Sequence, residues 1–263
     1  MRTGIYFWFN YPIPYIDRLN LIKQTGFDEI MLWWGDQFQD IDGPKERIPV
    51  LAAKAGLHIE NVHSDFENAN LLWVDQLGWQ DVVNRYLECI DDCHDYDIPA
   101  MVLHLTSGDT PPEPSELGID RMKRIVDRAE QKNVRIALEN LRKPEYLDYV
   151  YDRIDSDRLK FCYDSGHENY RSSKSDLLKR HGGKLISLHL HDNDGTEDQH
   201  MLPGEGNIAW DDIAAKLKKI NYKGTISLEV TNDMPVKYKS MTAEEFLAEA
   251  YKRAKWIADM CAG

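Results

Sequence analysis

Hydrophobic and polar positions follow two periods along the chain. Short β-branched or aromatic runs read as eight strands: Gly4–Phe9, Glu29–Trp34, His58–His63, Ala100–Thr106, Arg135–Asn140, Leu159–Asp164, Lys184–His191 and Gly224–Val230. Between and after them, apolar residues at helical spacing predict helices over Pro14–Thr25, Pro44–Ala55, Gly78–Tyr96, Gly118–Lys132, Pro144–Arg153, Ser175–His181, Ala209–Ile220 and Thr242–Cys261. Several open on a Pro or a capping Asp, Ser or Thr, and several run into a stop signal such as Gly26, Gly56, Asn133 or Gly182.

Eight βα units in 263 residues, with no low-complexity stretch and no Pro/Ser-rich linker, predict an α/β fold, a single (β/α)8 TIM barrel over residues 1–263. A doubly wound open sheet fits less well, because the turn after the first strand reads Phe-Asn-Tyr-Pro instead of Gly-rich. The longest connections are Ser64–Leu77, Ser107–Leu117 and Asn193–Asn207. All three follow strands and so belong to the C-terminal face, where barrels carry their sites.

Composition excludes some function classes. The 32 Lys+Arg against 45 Asp+Glu leave a net charge of −13, a poor match to a general nucleic-acid backbone binder, whose affinity comes from Lys and Arg releasing counterions. A 42% hydrophobic content supplies a sizeable core. No apolar stretch reaches the roughly 20 residues of a membrane span. The opening run MRTGIYFWFNYPIP, broken by Asn10 and Pro12, reads as a buried strand and not as a secretion signal. Four cysteines (Cys89, Cys93, Cys162 and Cys261) are few for this length and fit a reducing, cytoplasmic setting, and Cys89 and Cys93, four apart in a helical segment, read as buried or idle thiols.

The strand ends carry the chemistry. Strand three ends at His63, strand four carries His104, strand five Glu139, strand six Asp164 and His167, strand seven His189 and His191, and strand eight Glu229. One such residue is most simply a satisfied structural group. Six consecutive strands, each placing a His, Asp or Glu at the same depth of a barrel, converge on one axis, and buried charge needs a partner or a metal. Imidazole and carboxylate without thiolate suit Zn, Mn, Co or Mg. The loop after strand seven adds Asp198 and His200, which face one ion together if that segment is extended.

These residues resemble the xylose-isomerase-like TIM-barrel superfamily, which holds sugar phosphate isomerases and epimerases and the endonuclease IV group. The resemblance covers essentially the whole chain. It rests on D-x-x-H at Asp164–His167, H-L-x-D at His189–Asp192, the run from Asp198 through Pro203-Gly204 to Gly206, and the strand glutamates at 139 and 229. It implies a divalent-metal site of Glu139, Asp164, His189 and Glu229. The endonuclease IV-like branch implies further ligands at His63, His104, His167, Asp198 and His200, so one to three ions are expected. His191 shares a strand face with His189 and competes with it as ligand. His189 is favoured because it lies three before Asp192, as the motif requires.

The expected activity is isomerisation or epimerisation of a sugar, sugar phosphate or keto-polyol, with Glu139 and Glu229 moving a proton next to a polarised carbonyl from opposite sides of the mouth. Trp8, Phe9, Trp33, Trp34 and Phe66 are expected to wall the sugar, and His167 and His191 to touch it. Two rivals share the ligand set: an endonuclease IV-like phosphodiesterase at abasic DNA, and a keto-inositol dehydratase. A non-catalytic sugar-binding barrel is a third reading, which the presence of both glutamates disfavours. The Ser64–Leu77 loop has no Lys or Arg and carries Asp65, Glu67 and Asp75, and the other two long loops also lack Lys and Arg. A phosphate-gripping rim needs those cations, so the expected partner is a small carbohydrate, with no nucleic acid and no membrane. The basic Arg171–Lys184 segment reads as a solvated helix face. A homo-oligomer stays open.

Overall fold

The computed structural model describes residues 1–36, 43–171 and 175–262. Residues 172–174, within the basic Arg171–Lys184 segment, lie outside the described residues. Eight parallel strands form the barrel: β1 (Thr3–Tyr6), β2 (Glu29–Trp34), β3 (His58–Ser64), β4 (Ala100–Leu103), β5 (Arg135–Glu139), β6 (Leu159–Asp164), β7 (Leu185–His189) and β8 (Ile226–Leu228). The hydrogen-bonded order is β7-β6-β5-β4-β3-β2-β1-β8. An isolated parallel bridge between Leu190 and Leu228 joins the remaining seam. The doubly wound alternative is thereby excluded.

The helices are α1 (Tyr15–Thr25), α2 (Ile48–Ala55), α3 (Trp79–Asp95), α4 (Glu116–Lys132), α5 (Glu145–Tyr151), α6 (Ser165–Arg171), α7 (Leu177–His181), α8 (Trp210–Lys219) and α9 (Ala243–Ala262). Their ends follow local rules. Ser115 caps α4 by accepting from the Gly118 amide at 3.4 Å, and Asn133 ends it at φ 58° in the left-handed region. Apolar faces pack outward-facing strand residues such as Ile30, Met101 and Phe161 into one continuous core.

Four expected strands are too long. Strand one stops at Tyr6 rather than Phe9, strand four at Leu103 rather than Thr106, strand seven at His189 rather than His191, and strand eight runs only from Ile226 to Leu228. The trimmed residues sit at the barrel rim, where the chain leaves the ladder and side chains turn to the mouth. The β6 end also launches a helix that the apolar period did not announce. α6 starts directly after Asp164, and its Gly166 is forced by a close approach, since a Cβ there would collide with the His191 ring.

At the opposite, N-terminal end of the barrel, a register shift between Ile30 and Met31 makes Glu60 an extra residue on β3. Ser227 of β8 donates to Glu60 Oε2, whereas Glu60 Oε1 is buried without a hydrogen-bond partner. Burial pushes the Glu60 carboxyl up to about 8, against the Ser227 hydrogen bond. A folded-state value above the unfolded one means that Glu60 contributes most at acidic pH, and that this contribution is lost as pH rises from the usual carboxylate range to about 8. Glu60→Gln therefore raises Tm over the parent at pH 8.5 and leaves it nearly unchanged at pH 4. Thermal melts across that range check this, and equal differences at both ends would contradict it.

Candidate metal centre

Strands β3 to β8, or the residue directly after each, deliver a His, Asp or Glu to the C-terminal mouth, where six of the nine histidines gather. Glu139 is the hub. Its Oε2 lies 3.2 Å from His63 Nε2, 3.1 Å from His104 Nε2 and 3.2 Å from His189 Nδ1, and its Oε1 lies 3.2 Å from His167 Nδ1. Glu229 Oε2 is 3.3 Å from the same His189 Nδ1. The two glutamates therefore do not face each other across an open mouth, as expected, but converge on one imidazole nitrogen.

The main chain fixes the carboxylates. Asn140 clamps the end of β6, its Oδ1 accepting from the Asp164 amide and its Nδ2 donating to the Asp164 carbonyl, both at 2.8 Å. Asp164 Oδ1 then accepts the His167 amide at 2.6 Å, as a cap on α6. Asp192 is fully buried and ties down the following loop. Its Oδ2 accepts from the Gly204 amide and the Trp210 indole at 2.8 Å, and its Oδ1 from the Ile208 amide at 3.2 Å. The last residue of the H-L-x-D motif is thus a loop anchor. An antiparallel bridge between Asp192 and Met201 sets Asp198 and His200 over the mouth.

Four residues, Glu139, Asp164, His189 and Glu229, offer ligand atoms that all lie within 4.8 Å of one another. His63 and His104 form a second such group with Glu139, and His191, Asp198 and His200 form a third. His167 reaches the third as well, with Nε2 3.2 Å from Asp198 Oδ2. All nine positions are thus brought together. His189 joins the four-residue group, whereas His191 lies 3.2 Å from Asp164 and stacks on His200 at 4.1 Å. His191 is fully buried and does not line the mouth cavity, so its place is behind Asp164 and not against a substrate.

The donor set fits a divalent cation. His63, His167 and His200 each direct Nδ1 at a main-chain carbonyl, of Ser64, Asn140 and Glu229, at 2.9, 3.0 and 2.8 Å. A ring whose Nδ1–H donates in this way turns its Nε2 lone pair inward, the usual arrangement of a metal-ligating histidine. His189 Nδ1, His191 Nδ1 and Asp198 Oδ1 are buried atoms without hydrogen-bond partners. Burial disfavours the Glu139 carboxylate, yet the His189 charge and hydrogen bonds from His104 and His167 hold it well below the usual carboxylate range. Burial also pushes His104 down to about 4, against the pull of Glu139, which keeps that imidazole neutral and able to ligate. Cys162, for which the sequence suggests no role at the site, lies beside Glu139 and His189.

A cavity of about 520 Å³ opens over these groups, lined by Trp8, Trp33 and Phe66. Phe9 and Trp34 belong elsewhere. Trp34 is buried with its indole donating to Asp92 on α3 at 2.7 Å, and Phe9 packs on Phe246 of α9. Strand alternation explains the first case, since Trp33 and Trp34 must face opposite sides. Trp8 is braced by the fully buried Arg18, whose guanidinium sits 4.2 Å from the indole. Sequence reasoning missed Tyr6, Thr231 and Arg142 in the cavity lining. Tyr6 shares a strand face with Trp8 two residues on, a signal that was available; Arg142, just past β5, gave none.

A family model described as "xylose isomerase-like TIM barrel" matches residues 19–258. An uncharacterized protein, y4fM of Sinorhizobium fredii, is 30% identical over 90% of both chains. An inosose isomerase of Bacillus subtilis is 24% identical over 68% of this chain and 69% of its own. Among solved structures, zinc-bound IolI superposes with a TM-score of 0.81 at 20% identity, covering 100% of this chain and 98% of that one. D-psicose 3-epimerase of Clostridium cellulolyticum superposes at 0.76 with 18% identity over 99% of both. Among the described residues, no helix is long and apolar enough to cross a membrane.

Proposed function

The chain belongs to the xylose isomerase-like TIM-barrel family, and from that premise we propose that it is a divalent-metal-dependent isomerase or epimerase of a sugar or keto-polyol. The reading rests on one observation above others: Glu139, Asp164, His189 and Glu229 present converging ligand atoms beneath an aromatic-walled cavity. The inosose isomerase among its relatives and the epimerase among similar folds support that class. The zinc of the similar IolI structure supports Zn among the candidate ions Zn, Mn, Co and Mg.

These four residues would hold the ion, which when bound would polarise a substrate carbonyl and acidify the neighbouring C–H. The chain does the rest. Glu229, 8% exposed and lining the cavity, takes the proton from that carbon, and Glu139, whose Oε2 meets the same His189 nitrogen, holds or returns one. Trp8, Trp33 and Phe66 cover the apolar face of the substrate and exclude water from the exchanging proton. Burial pushes the Tyr6 phenol up, so it stays a neutral hydrogen-bond donor at the cavity wall.

The convergence of all nine positions favours a second reading, metal-assisted cleavage at abasic DNA with up to three ions. The rim weighs against it. The three long loops carry no Lys or Arg. Arg142 is the one Lys or Arg of the cavity lining among the described residues, and its Nε is ion-paired with Asp109 at 2.6 Å. The deciding experiment sets a panel of keto sugars and keto-inositols against a duplex with an abasic site. Turnover of a keto compound with the duplex left intact is expected; cleavage of the duplex with every keto compound untouched would overturn the proposal.

A further inference from the structure

The His189 ring is held differently from its neighbours. Where His63, His167 and His200 lean on main-chain carbonyls, His189 meets a side chain, Cys162 of β6. The ladder dictates that meeting. Cys162 is the register partner of Glu139 on β5, and Asp164, two residues on, is the partner of His189 on β7. Residues two apart on a strand share a face, so Cys162 points inward one step below Asp164.

There Cys162 is fully buried in a small cluster with Val102 and Ala137, against which Ile186 packs. Its sulfur lies within 4.8 Å of the ligand atoms of Glu139 and His189. His189 Nδ1 is turned to Glu139 Oε2 at 3.2 Å and to Glu229 Oε2 at 3.3 Å. His189 Nδ1 has no hydrogen-bond partner, and a hydrogen bond links the Cys162 thiol to the ring, which places the thiol at the other edge, where Nε2 lies.

We infer that Cys162 is the positioning residue of His189: its thiol hydrogen-bonds the ring edge facing the barrel interior and so aims Nδ1 at the ion. A thiol is both a weak donor and a weak acceptor, and a polarizable sulfur packs well between apolar neighbours and an imidazole. It therefore fixes the ring in a layer where a carboxylate would add buried charge. The inference rests on the metal reading above, since aiming Nδ1 matters only if an ion is bound there.

Cys162→Ala removes the sulfur, and Cys162→Ser restores a hydrogen-bonding group in nearly the same place. The first readout is made on metal-free protein: the ring-nitrogen NMR signals of His189. The Ala variant is expected to show a changed tautomer balance, and the Ser variant to return toward the parent. Unchanged His189 signals in the Ala variant would overturn the inference whatever the metal does. The second readout is Zn²⁺ affinity by chelator competition, with a loss of about 10–100-fold in the Ala variant, the usual cost of removing a partner behind a ligand, and most of it regained in Ser. Equal Zn²⁺ affinity in parent and Ala would also overturn it. A purely structural cysteine would lower Tm without moving the ring signals. A parent that binds no Zn²⁺ would sink the metal reading, and the ring signals alone would then decide the role of Cys162.

Discussion

Glu229→Gln is expected to abolish turnover and to leave the barrel folded. The amide keeps the size and shape of the side chain but cannot accept a proton, and it is a poorer ligand than a carboxylate. Loss of a positioned acid–base group alone costs about 10²–10⁴-fold, and the weakened ion adds to that. The fold survives because the backbone holds this position: the Glu229 amide donates to the Leu190 carbonyl at 3.0 Å, and the Glu229 carbonyl accepts from His200 at 2.8 Å. Neither bond involves the carboxylate. Steady-state rates with circular dichroism and a melting curve check both halves. Activity surviving within about tenfold would remove Glu229 from the proton-transfer role.

The second large effect concerns the hub. Glu139→Gln is expected to cost the bound ion as well as the activity. Its carboxylate meets His63, His104, His167 and His189 within 3.2 Å, and Gln replaces one of those acceptor oxygens with a donor amine. Chelator treatment of the parent should reproduce the same inactive state, and adding back Zn²⁺, Mn²⁺, Co²⁺ or Mg²⁺ should reverse it only in the parent. An ion that binds only the folded chain would, at about 1,000 times its Kd, add about 4 kcal/mol of stability to the parent. The parent's Tm should rise with added ion, and that of Glu139→Gln should stay flat. A Glu139→Gln protein that keeps a stoichiometric ion would place the metal elsewhere.

How far these residues could be read in advance depends on what each one signals. The barrel was legible because two periods, near 2 and near 3.6, alternate eight times, and because parallel strands joined by helices leave few topologies. The polar residues that gather at the mouth were legible because charge at the end of an apolar run is costly unless it is used. Strand ends were misjudged for the same reason: Phe9, Thr106 and His191 continue the apolar or aromatic pattern while the ladder has already stopped. Trp34 was misplaced by ignoring alternation, and α6 was missed because the start of a helix on Asp164 carries no apolar stripe.

Other features lie beyond pattern reading. The extra residue at Glu60 comes from a register shift between strands, which no single strand reveals. The nearness of Cys162 to His189 depends on pairing between β6 and its neighbours, so the thiol comes to lie beside these residues only once the sheet is formed. Arg142 enters the cavity from a short connection that follows no period.

Proton transfer next to a substrate carbonyl is the step on which the proposed function depends. The most direct measurement follows deuterium from D2O into keto sugars and keto-inositols by NMR, using chelator-treated protein with and without added divalent ion, and with an abasic duplex as a parallel substrate. Metal-dependent deuterium is expected at the carbon beside the carbonyl of at least one keto compound, absent with Glu229→Gln, with the duplex left intact. Absence of exchange in every keto compound, with the duplex cut once the ion is added, would contradict the proposed function.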